Sequence, residues 1–372
     1  MEPRRPVRCA IVPPSPAPYR EPLFRALSQR DGLEIRVIYQ SSGLPSWDVA
    51  ADWFALVHPY PATHLRSWQH GRPGRTPIVW PRRLERALGE FDPDCVVVSE
   101  YGPASLRTLW WTRRRGRGFI VFTEVTPQMD RTLAPLQLRL HRSVACLADG
   151  IIAVSSAARE RVLRWGVPPE RVTVALQSAD LEPIRAAAAD RPSRNGTASV
   201  LSVGRLVHDK NFTTLLEAAG RLPEGQLRLE IVGRGPLEFE LKQLAQQLGV
   251  PARFHGHVSP QELPRLYAAA DVYALLSTYE PFGVSAREAA AAGLPIICSR
   301  AAGAAGDVAV EDRNAILVDP TRVDDVAAAL GRMASDAALR GRMAAESLAV
   351  DAATAGRDVE AFTSAVTAAS AR

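Results

Sequence analysis

The sequence predicts an α/β protein with two domains built on parallel sheets, and three observations lead to this prediction. Short apolar runs typical of buried parallel strands alternate with helical segments along the chain. A segment rich in Ala, Arg, Asp, Pro and Gly interrupts this alternation near the middle. The length of 372 residues allows two domains with separate cores. We expect a first domain at 1–180, a linker at 181–197, a second domain at 198–350 and a C-terminal helical segment at 351–372.

The composition, 47% hydrophobic and 23% charged, is typical of a soluble globular protein. The chain has no apolar run of membrane-spanning length, and its Arg- and Pro-rich N-terminus lacks the apolar core of a signal peptide. The cysteines lie apart in apolar contexts, which predicts buried free thiols: Cys9, Cys95, Cys146 and Cys298. We therefore predict a cytoplasmic protein.

Charge is uneven along the chain. Residues 1–180 hold 25 arginines and 17 acidic residues, a net charge of +8, whereas residues 181–372 carry −3. The predicted helix 105–115 combines Trp110 and Trp111 with arginines that continue to Arg117. This pattern suits a peripheral contact with the inner face of the cell membrane. A buried tryptophan and a solvated helix end would explain the pattern equally well. No nucleic-acid partner is expected.

In the first domain, the strands predicted from apolar runs are 7–12, 33–39, 96–99, 119–123, 150–154 and 171–176, and the helices are 20–29, 105–115, 133–148 and 157–165. The first strand ends in a Pro-rich loop rather than the Gly-rich loop of a dinucleotide site. Residues 40–80 are predicted to be irregular. Asp92-x-Asp94 precedes a strand, so a turn is favoured over a metal site.

In the second domain, strands are predicted at 198–203, 227–232, 254–258, 271–276, 294–298 and 314–318, and helices at 289–292 and 324–333. Gly233-x-Gly235 is half of a dinucleotide motif, with Glu238 in place of the third glycine, so hydride chemistry is not expected. His255 and His257 alternate without further ligands, which argues against zinc. The backbone around His257 suits reading of a base edge. We expect no metal and no cofactor.

Two carboxylates flank the loop between the strand 271–276 and the following helix. Between Glu280 and Glu288, the backbone amides of residues 282–285 are free at a helix N-terminus, which attracts phosphate. Carboxylates accept hydrogen bonds from sugar hydroxyls, so the loop suits a nucleotide sugar. The alternative is that Ser285-x-x-Glu288 is a capping box, in which Glu288 only closes the helix end.

The stretch Glu280-Pro-Phe-Gly, followed by Glu288-Ala and Gly293-x-Pro-Ile-Ile, resembles the signature of glycosyltransferase family 4. The resemblance implies a GT-B fold, in which two Rossmann-like domains face each other across a cleft and the final helix crosses back onto the first domain. It implies that Glu288 binds the ribose hydroxyls of the donor. It also implies that Glu280 binds the transferred sugar and the phosphate next to it, together with the amides of Phe282, Gly283, Val284 and Ser285.

A second constellation follows the first strand of the second domain, as Gly204-Arg205 with Lys210 five residues later. Arg205 and Lys210 can reach one pyrophosphate from a single loop. The chain has only one other lysine, Lys242, so a retained lysine suggests a need for a compact ammonium group. The family shares the run containing Gly233 and Gly235, which implies that these glycines shape the nucleotide pocket.

The resemblance also indicates an acceptor side in the first domain. Members with a Pro-rich loop resemble the run that ends in Tyr19 and Arg20, which would then point toward the cleft and hold the acceptor. The alternative is that Tyr19 packs and Arg20 caps the loop. Glu100 and Tyr101 end one strand, and Glu124 follows another, near the position where many relatives place a histidine.

These inferences predict a retaining, metal-independent, hexosyl-type glycosyltransferase with a nucleoside diphosphate sugar as donor, UDP first and GDP second. Catalysis is assigned to Arg205, Lys210 and Glu280, and it would consist mostly of positioning and electrostatic stabilisation. The acceptor is a glycan, a lipid-linked intermediate or a small molecule. The alternatives are an epimerase or hydrolase of the same fold, or a non-catalytic protein that binds sugar nucleotides.

Overall fold

The computed structural model describes residues 5–43, 56–71, 77–189 and 196–371. Two compact units make up the chain. Unit 1 comprises residues 1–179 and 356–372, and unit 2 comprises residues 180–355. Both are α/β units with a parallel sheet, which confirms the predicted pair of Rossmann-like domains.

The described part of unit 1 is built on a parallel sheet with the strand order β3-β2-β1-β6-β7-β8-β9. Its strands are β1 Val7–Val12, β2 Leu33–Tyr39, β3 Ala62–His64, β4 Ser67–His70, β5 Ile78–Pro81, β6 Cys95–Ser99, β7 Gly118–Thr123, β8 Gly150–Ala153 and β9 Val172–Val174. Its first helices are α1 Glu21–Ser28, α2 Leu84–Phe91, α3 Pro103–Arg115, α4 Pro135–Leu147 and α5 Ser156–Arg164. Strands β4 and β5 form a separate antiparallel hairpin.

Unit 2 has a second parallel sheet with the order β12-β11-β10-β13-β14-β15. Its strands are β10 Ala198–Val203, β11 Leu227–Val232, β12 Ala252–Gly256, β13 Val272–Leu275, β14 Ile296–Ser299 and β15 Ala315–Val318. Its helices are α6 Glu182–Ala189, α7 Phe212–Ala219, α8 Glu238–Gln247, α9 Leu263–Ala269, α10 Val284–Ala291, α11 Val323–Ser335 and α12 Ala337–Thr354.

The last helix, α13 Arg357–Ser370, belongs to unit 1, where it packs on α1 and the central strands. Helices α2 to α5 pack around a different core, which contains the alternate residues of the same strands. Both faces of the sheet are therefore covered by helices. This arrangement explains why the central strands are continuous apolar runs rather than alternating ones.

In each sheet the strand order reverses at one point, between β1 and β6 in unit 1 and between β10 and β13 in unit 2. The loops that leave neighbouring strands on either side of such a point diverge. Ligands of open α/β sheets bind in the resulting crevice, at the carboxyl ends of the strands. The loops after these four strands are consequently the places to search for a site.

Several predicted elements differ from the structure. The region 40–80, predicted to be irregular, contains β3, β4 and part of β5 among its described residues, whereas Trp47 and Trp53 lie outside them. Part of the predicted linker forms α6, which packs against α9 within unit 2. The helix expected at 289–292 begins earlier, as α10. Cys146 is exposed rather than buried, because it lies on the outer face of α4.

Candidate functional site

The loops after β10 and β13 meet at the switch point of the unit 2 sheet. The N–H of Thr278 donates to the carbonyl of Asp209 at 2.9 Å. The side chain of Asn211 donates to the carbonyls of Leu276 at 3.2 Å and Pro320 at 2.7 Å. Asn211 has φ +57°, a left-handed conformation that asparagine tolerates better than most residues. It thus joins the loops after β10, β13 and β15, a role that sequence reasoning missed.

Lys210 and Glu280 form an ion pair across this junction. Glu280 is only 8% exposed, and the hydroxyl of Ser277 donates to the same carboxylate oxygen at 3.4 Å. The carbonyl of Glu280 accepts a hydrogen bond from the N–H of Gly303 at 2.9 Å, so neighbouring backbone also holds this residue. The structure therefore brings together two predicted site residues that are 70 positions apart in the chain.

Two predicted glycines allow the close approach of backbone segments around this junction. Gly233 has φ +139°, and a Cβ atom there would overlap the carbonyl oxygen of Gly204. A Cβ atom on Gly235 would overlap the carbonyl oxygen of Leu206. These glycines therefore let the loop after β11 lie directly against the loop that carries Arg205. Arg205 is exposed, and its side chain makes no hydrogen bond or ion pair with any described residue.

Helix α10 begins at Val284, directly after the loop that contains Glu280. Its N-cap is Gly283, with φ +99° and no side chain that caps the helix. Phe282 is buried, and its carbonyl accepts the N–H of Ala304 at 2.7 Å, which holds the turn in place. The first N–H groups of an α-helix have no partner within the helix. This end of α10 therefore offers donors and a positive dipole end beside the Lys210–Glu280 pair.

Glu288 lies on the first turns of α10 and contacts Tyr267 of α9. The Tyr267 hydroxyl donates to Oε2 of Glu288 at 2.6 Å and to the carbonyl of Ser285 at 3.4 Å. Ser285 is the second residue of the helix rather than its N-cap, so Ser285 and Glu288 do not form a capping box. Burial raises the pKa of Glu288, and the hydrogen bond from Tyr267 opposes this shift. Sequence reasoning missed Tyr267, which no motif marks.

His257 is exposed and follows the last residue of β12. The N–H of Gly233 donates to the carbonyl of Gly256 at 2.8 Å, so the end of β12 lies beside the glycine loop. The neighbouring His255 has a different role, because its Nε2 lies 2.7 Å from Oε2 of Glu230. His257 is therefore exposed beside the loop after β11, where its backbone is predicted to read a base edge.

In unit 1, the predicted acceptor-side residues Arg20, Glu100 and Glu124 form one connected cluster. Arg20 is 6% exposed and forms an ion pair with Glu124. The N–H of Glu124 and the hydroxyl of Thr123 donate to the carboxylate of Glu100 at 2.7 and 3.0 Å. Tyr19 lies beside this cluster, with its ring centroid 5.6 Å from the Arg20 guanidinium carbon.

The electrostatics of this cluster follow from its burial. Burial lowers the pKa of Arg20, but Glu124, Tyr19 and Glu100 together more than reverse this effect, so the net shift is upward. Burial raises the pKa of Glu100 to about 7, although the N–H of Glu124 stabilises its charged form. Glu100 also has φ +60°, a strained conformation for a non-glycine residue. A carboxyl group that titrates near neutral pH is thus held at the end of β6.

Tyr101, predicted on the acceptor side, is a core residue. It is buried in the core that α2 to α5 share with the sheet. Its ring stacks on His141, with centroids 5.2 Å apart, and meets the edge of Trp165. The reason is geometric: Glu100 makes the turn after β6, and the following residue points back into the core. Tyr101 therefore presents no surface to an acceptor.

The described residues contain no group of three or more His, Cys, Asp or Glu side chains placed to hold a metal ion. Asp94, from the Asp-x-Asp run, accepts the N–H of Arg8 at 2.9 Å and pairs with Arg5 and Arg117. Within the same residues, every helix is too short or too polar to span a bilayer.

Comparison with known proteins gives matches to both units. A family model described as "Glycosyl transferase 4-like domain" matches residues 16–175, and one described as "Glycosyl transferases group 1" matches residues 184–348. The chain is 33% identical over 225 residues to the D-inositol 3-phosphate glycosyltransferase of Rhodococcus opacus, covering 55% of this chain and 50% of that protein. It is 28% identical over 263 residues to the lipopolysaccharide core biosynthesis glycosyltransferase LpsD of Rhizobium meliloti, covering 71% of each.

The fold also matches solved structures over nearly its whole length. The crystal structure of Anabaena HepE in complex with UDP superposes with a TM-score of 0.75 at 18% identity, covering 97% of this chain and 98% of that one. The curated relatives are matched over shorter stretches. For three of them, the match spans only 34% to 50% of the relative's own length.

Proposed function

Because glycosyltransferase family models match residues 16–175 and 184–348, we propose that the chain is a glycosyltransferase of GT-B fold, and that it is a retaining enzyme with a nucleoside diphosphate sugar as donor. The observation that carries the proposal is the Lys210–Glu280 ion pair beside the N-terminus of α10, at the switch point of the unit 2 sheet. Cations, free helix N–H groups and carboxylates in one crevice match a ligand with an anionic centre flanked by hydroxyls.

The donor would bind with its diphosphate against Arg205, Lys210 and the first turn of α10. Arg205 has no partner among the described residues, so its guanidinium is available for a bidentate contact with phosphate. Glu288 would accept hydrogen bonds from the ribose, and Glu280 from the transferred sugar. HepE has been solved with UDP and with UDP-glucose, which supports UDP as the first nucleotide to test and leaves GDP as the second.

The chemistry proposed for these residues is stabilisation of the leaving diphosphate. Negative charge on the phosphate that leaves the sugar increases in the transition state, so fixed cations and helix N–H groups lower the barrier. These groups supply positive charge without a metal ion, and we propose that none is needed. The leaving phosphate oxygen would then accept the proton of the acceptor hydroxyl on the same face of the sugar.

The acceptor would bind unit 1 at the ends of β1, β6 and β7. The Arg20–Glu124–Glu100 cluster supports this assignment, since buried charged groups with a perturbed pKa are typical of functional sites. Tyr19 beside Arg20 would provide a ring on which a sugar can stack. The acceptor class remains a glycan, a lipid-linked intermediate or a small molecule that carries a hydroxyl group.

The test is a panel of UDP- and GDP-sugars with candidate acceptors, with products analysed by mass spectrometry and by the anomeric proton coupling in NMR. Retained anomeric configuration and full activity in EDTA are expected. An inverted product would refute the retaining mechanism. Consumption of donor at the same rate without acceptor would favour the epimerase or hydrolase alternative, and tight UDP binding without turnover on any substrate would favour a non-catalytic binding protein.

A further inference from the structure

Exposed apolar side chains are concentrated on one part of unit 1. Among the described residues, three elements carry eight large apolar side chains that are at least a third exposed, whereas unit 2 carries three. The three elements are the β4–β5 hairpin, α3 and α4. We call their exposed residues the apolar-basic surface: Trp68, Ile78, Trp80, Leu106, Trp110, Leu136, Leu140 and Leu147, with Arg114, Arg139 and Arg142.

The hairpin presents a flat aromatic face. Trp68 lies directly opposite Trp80, and His70 opposite Ile78, so the four side chains share one face of the two strands. The tryptophans are 61% and 50% exposed, whereas Val79, on the other face, is buried. The hairpin therefore packs on unit 1 with one face and leaves its bulkier apolar face in solvent.

Contacts between the elements make the surface continuous. The guanidinium carbon of Arg107 on α3 lies 5.8 Å from the centroid of the Trp80 ring, and Arg107 also donates to the carbonyl of Pro81. At the other end of α3, Arg113 donates to the carbonyl of Leu147, the last residue of α4. Trp110 lies between these two contacts on the exposed side of α3 and is 51% exposed.

The surface is positively charged. The segments that form β4, β5, α3 and α4 contain no Asp or Glu. Glu85 neutralises Arg107 and Asp149 neutralises Arg113 from neighbouring segments. Four other exposed arginines on these helices form no ion pair with a described residue: Arg114, Arg115, Arg139 and Arg142. Arg114 stacks on Trp110, with 4.1 Å between its guanidinium carbon and the ring centroid.

We propose that the apolar-basic surface binds the anionic face of a lipid membrane. Tryptophan and leucine side chains partition into the headgroup region, and arginines around them pair with lipid phosphates. A second copy of the chain fits less well, because a two-fold interface would bury this surface against itself and bring two sets of unpaired arginines together. This inference does not depend on the donor chemistry, and it would hold for a glycosyltransferase with any sugar.

The test is co-sedimentation of the full chain with vesicles of phosphatidylcholine, with and without phosphatidylglycerol. Wild type should bind the anionic vesicles, and high ionic strength should weaken binding because it screens surface charges. Leu136→Ser with Leu140→Ser should lower the partition coefficient about tenfold or more, from the lost apolar transfer. Both side chains are exposed, so the fold should be unaffected, as circular dichroism melting would verify. Phe239→Ser in unit 2, which is 70% exposed, is the matched control and should bind like wild type.

Charge is tested with a second pair of variants. Arg139→Glu with Arg142→Glu should release the protein from anionic vesicles, whereas Arg332→Glu with Arg342→Glu, the same charge change on exposed residues of unit 2, should not. The proposal is overturned if wild type does not bind anionic vesicles, or if both pairs weaken binding equally. It is also overturned if light scattering shows a dimer that the leucine variant disperses, because a second copy would then cover this surface.

Discussion

The variant Glu288→Gln distinguishes two roles for Glu288, binding of the donor and a purely structural contact. The hydroxyl of Tyr267 donates to Glu288 at 2.6 Å, and the amide oxygen of Gln can accept the same bond. Burial raises the pKa of Glu288, so loss of its charge removes a desolvation penalty. We therefore expect the free energy of unfolding to stay within about 1 kcal/mol of wild type. Loss of a charge-assisted bond to ribose should weaken the donor by about 1.5 kcal/mol, or roughly tenfold.

Two measurements test this expectation: UDP affinity by calorimetry and unfolding by urea titration. Tyr267→Phe is the structural control, since it removes the bond but keeps the carboxylate, and it should lose about 1 kcal/mol of stability. Glu240→Gln repeats the charge change on an exposed residue of α8 and should change neither quantity. A folded Glu288→Gln protein with wild-type UDP affinity would refute the assignment of Glu288 to the donor.

Three further outcomes follow from the contacts of individual residues. Lys210→Met should reduce turnover far more than UDP affinity, because the lysine charge acts most on the leaving phosphate. Lys242→Met is the matched surface control. Equal turnover in the two variants would contradict the catalytic role assigned to Lys210. Gly233→Ala should lose at least about 2 kcal/mol of stability together with donor binding, since its Cβ overlaps backbone, whereas Gly341→Ala in the open interior of α12 should be neutral or stabilising. Burial raises the pKa of Glu100 to about 7, so between the ordinary pKa near 4.5 and pH 7 the folded state holds a proton that the unfolded state has lost, and the free energy of unfolding falls as pH rises through this window. In urea titrations, Glu100→Gln should remove roughly 2 to 3 kcal/mol of that fall. Parallel pH profiles of stability for wild type and variant would contradict this expectation.

The core strands and the centre of unit 2 were predictable because they follow local rules. Strands covered on both faces are continuous apolar runs, and several predicted bounds, such as 7–12 and 198–203, match the structure. Lys210 and Glu280 follow neighbouring strands, so the rule for open α/β sheets places both at one crevice, where the structure pairs them.

Other features depend on contacts that no local pattern shows. Tyr267 on α9 contacts Glu288 on α10 although the two residues lie 21 positions apart, and Asn211 joins three loops. The segment 181–197 resembles a linker in composition, yet α6 packs on α9, and Arg185 on α6 forms an ion pair with the nearly buried Asp351 of α12. A fragment intended to carry unit 2 should therefore begin at Asp180.

The ion pair of Lys210 and Glu280 has a consequence for the proposed reaction. In the absence of donor, each charge in this poorly solvated crevice is neutralised by the other, which avoids the large penalty of an isolated buried charge. The same pair fixes the lysine at the switch point, beside the free end of α10, before any substrate arrives. A diphosphate would then meet an oriented ammonium group and need not order a flexible side chain, which is the condition for electrostatic stabilisation without reorganisation. Arg205, exposed and without a partner among the described residues, would remain free to close on the phosphates afterwards.

Glu280→Gln should therefore lower turnover even if the carboxylate never touches the sugar, because Lys210 would lose the partner that orients it. Addition of Lys210→Met to Glu280→Gln should then cause little further loss, and a fully additive double variant would show that the two residues act independently.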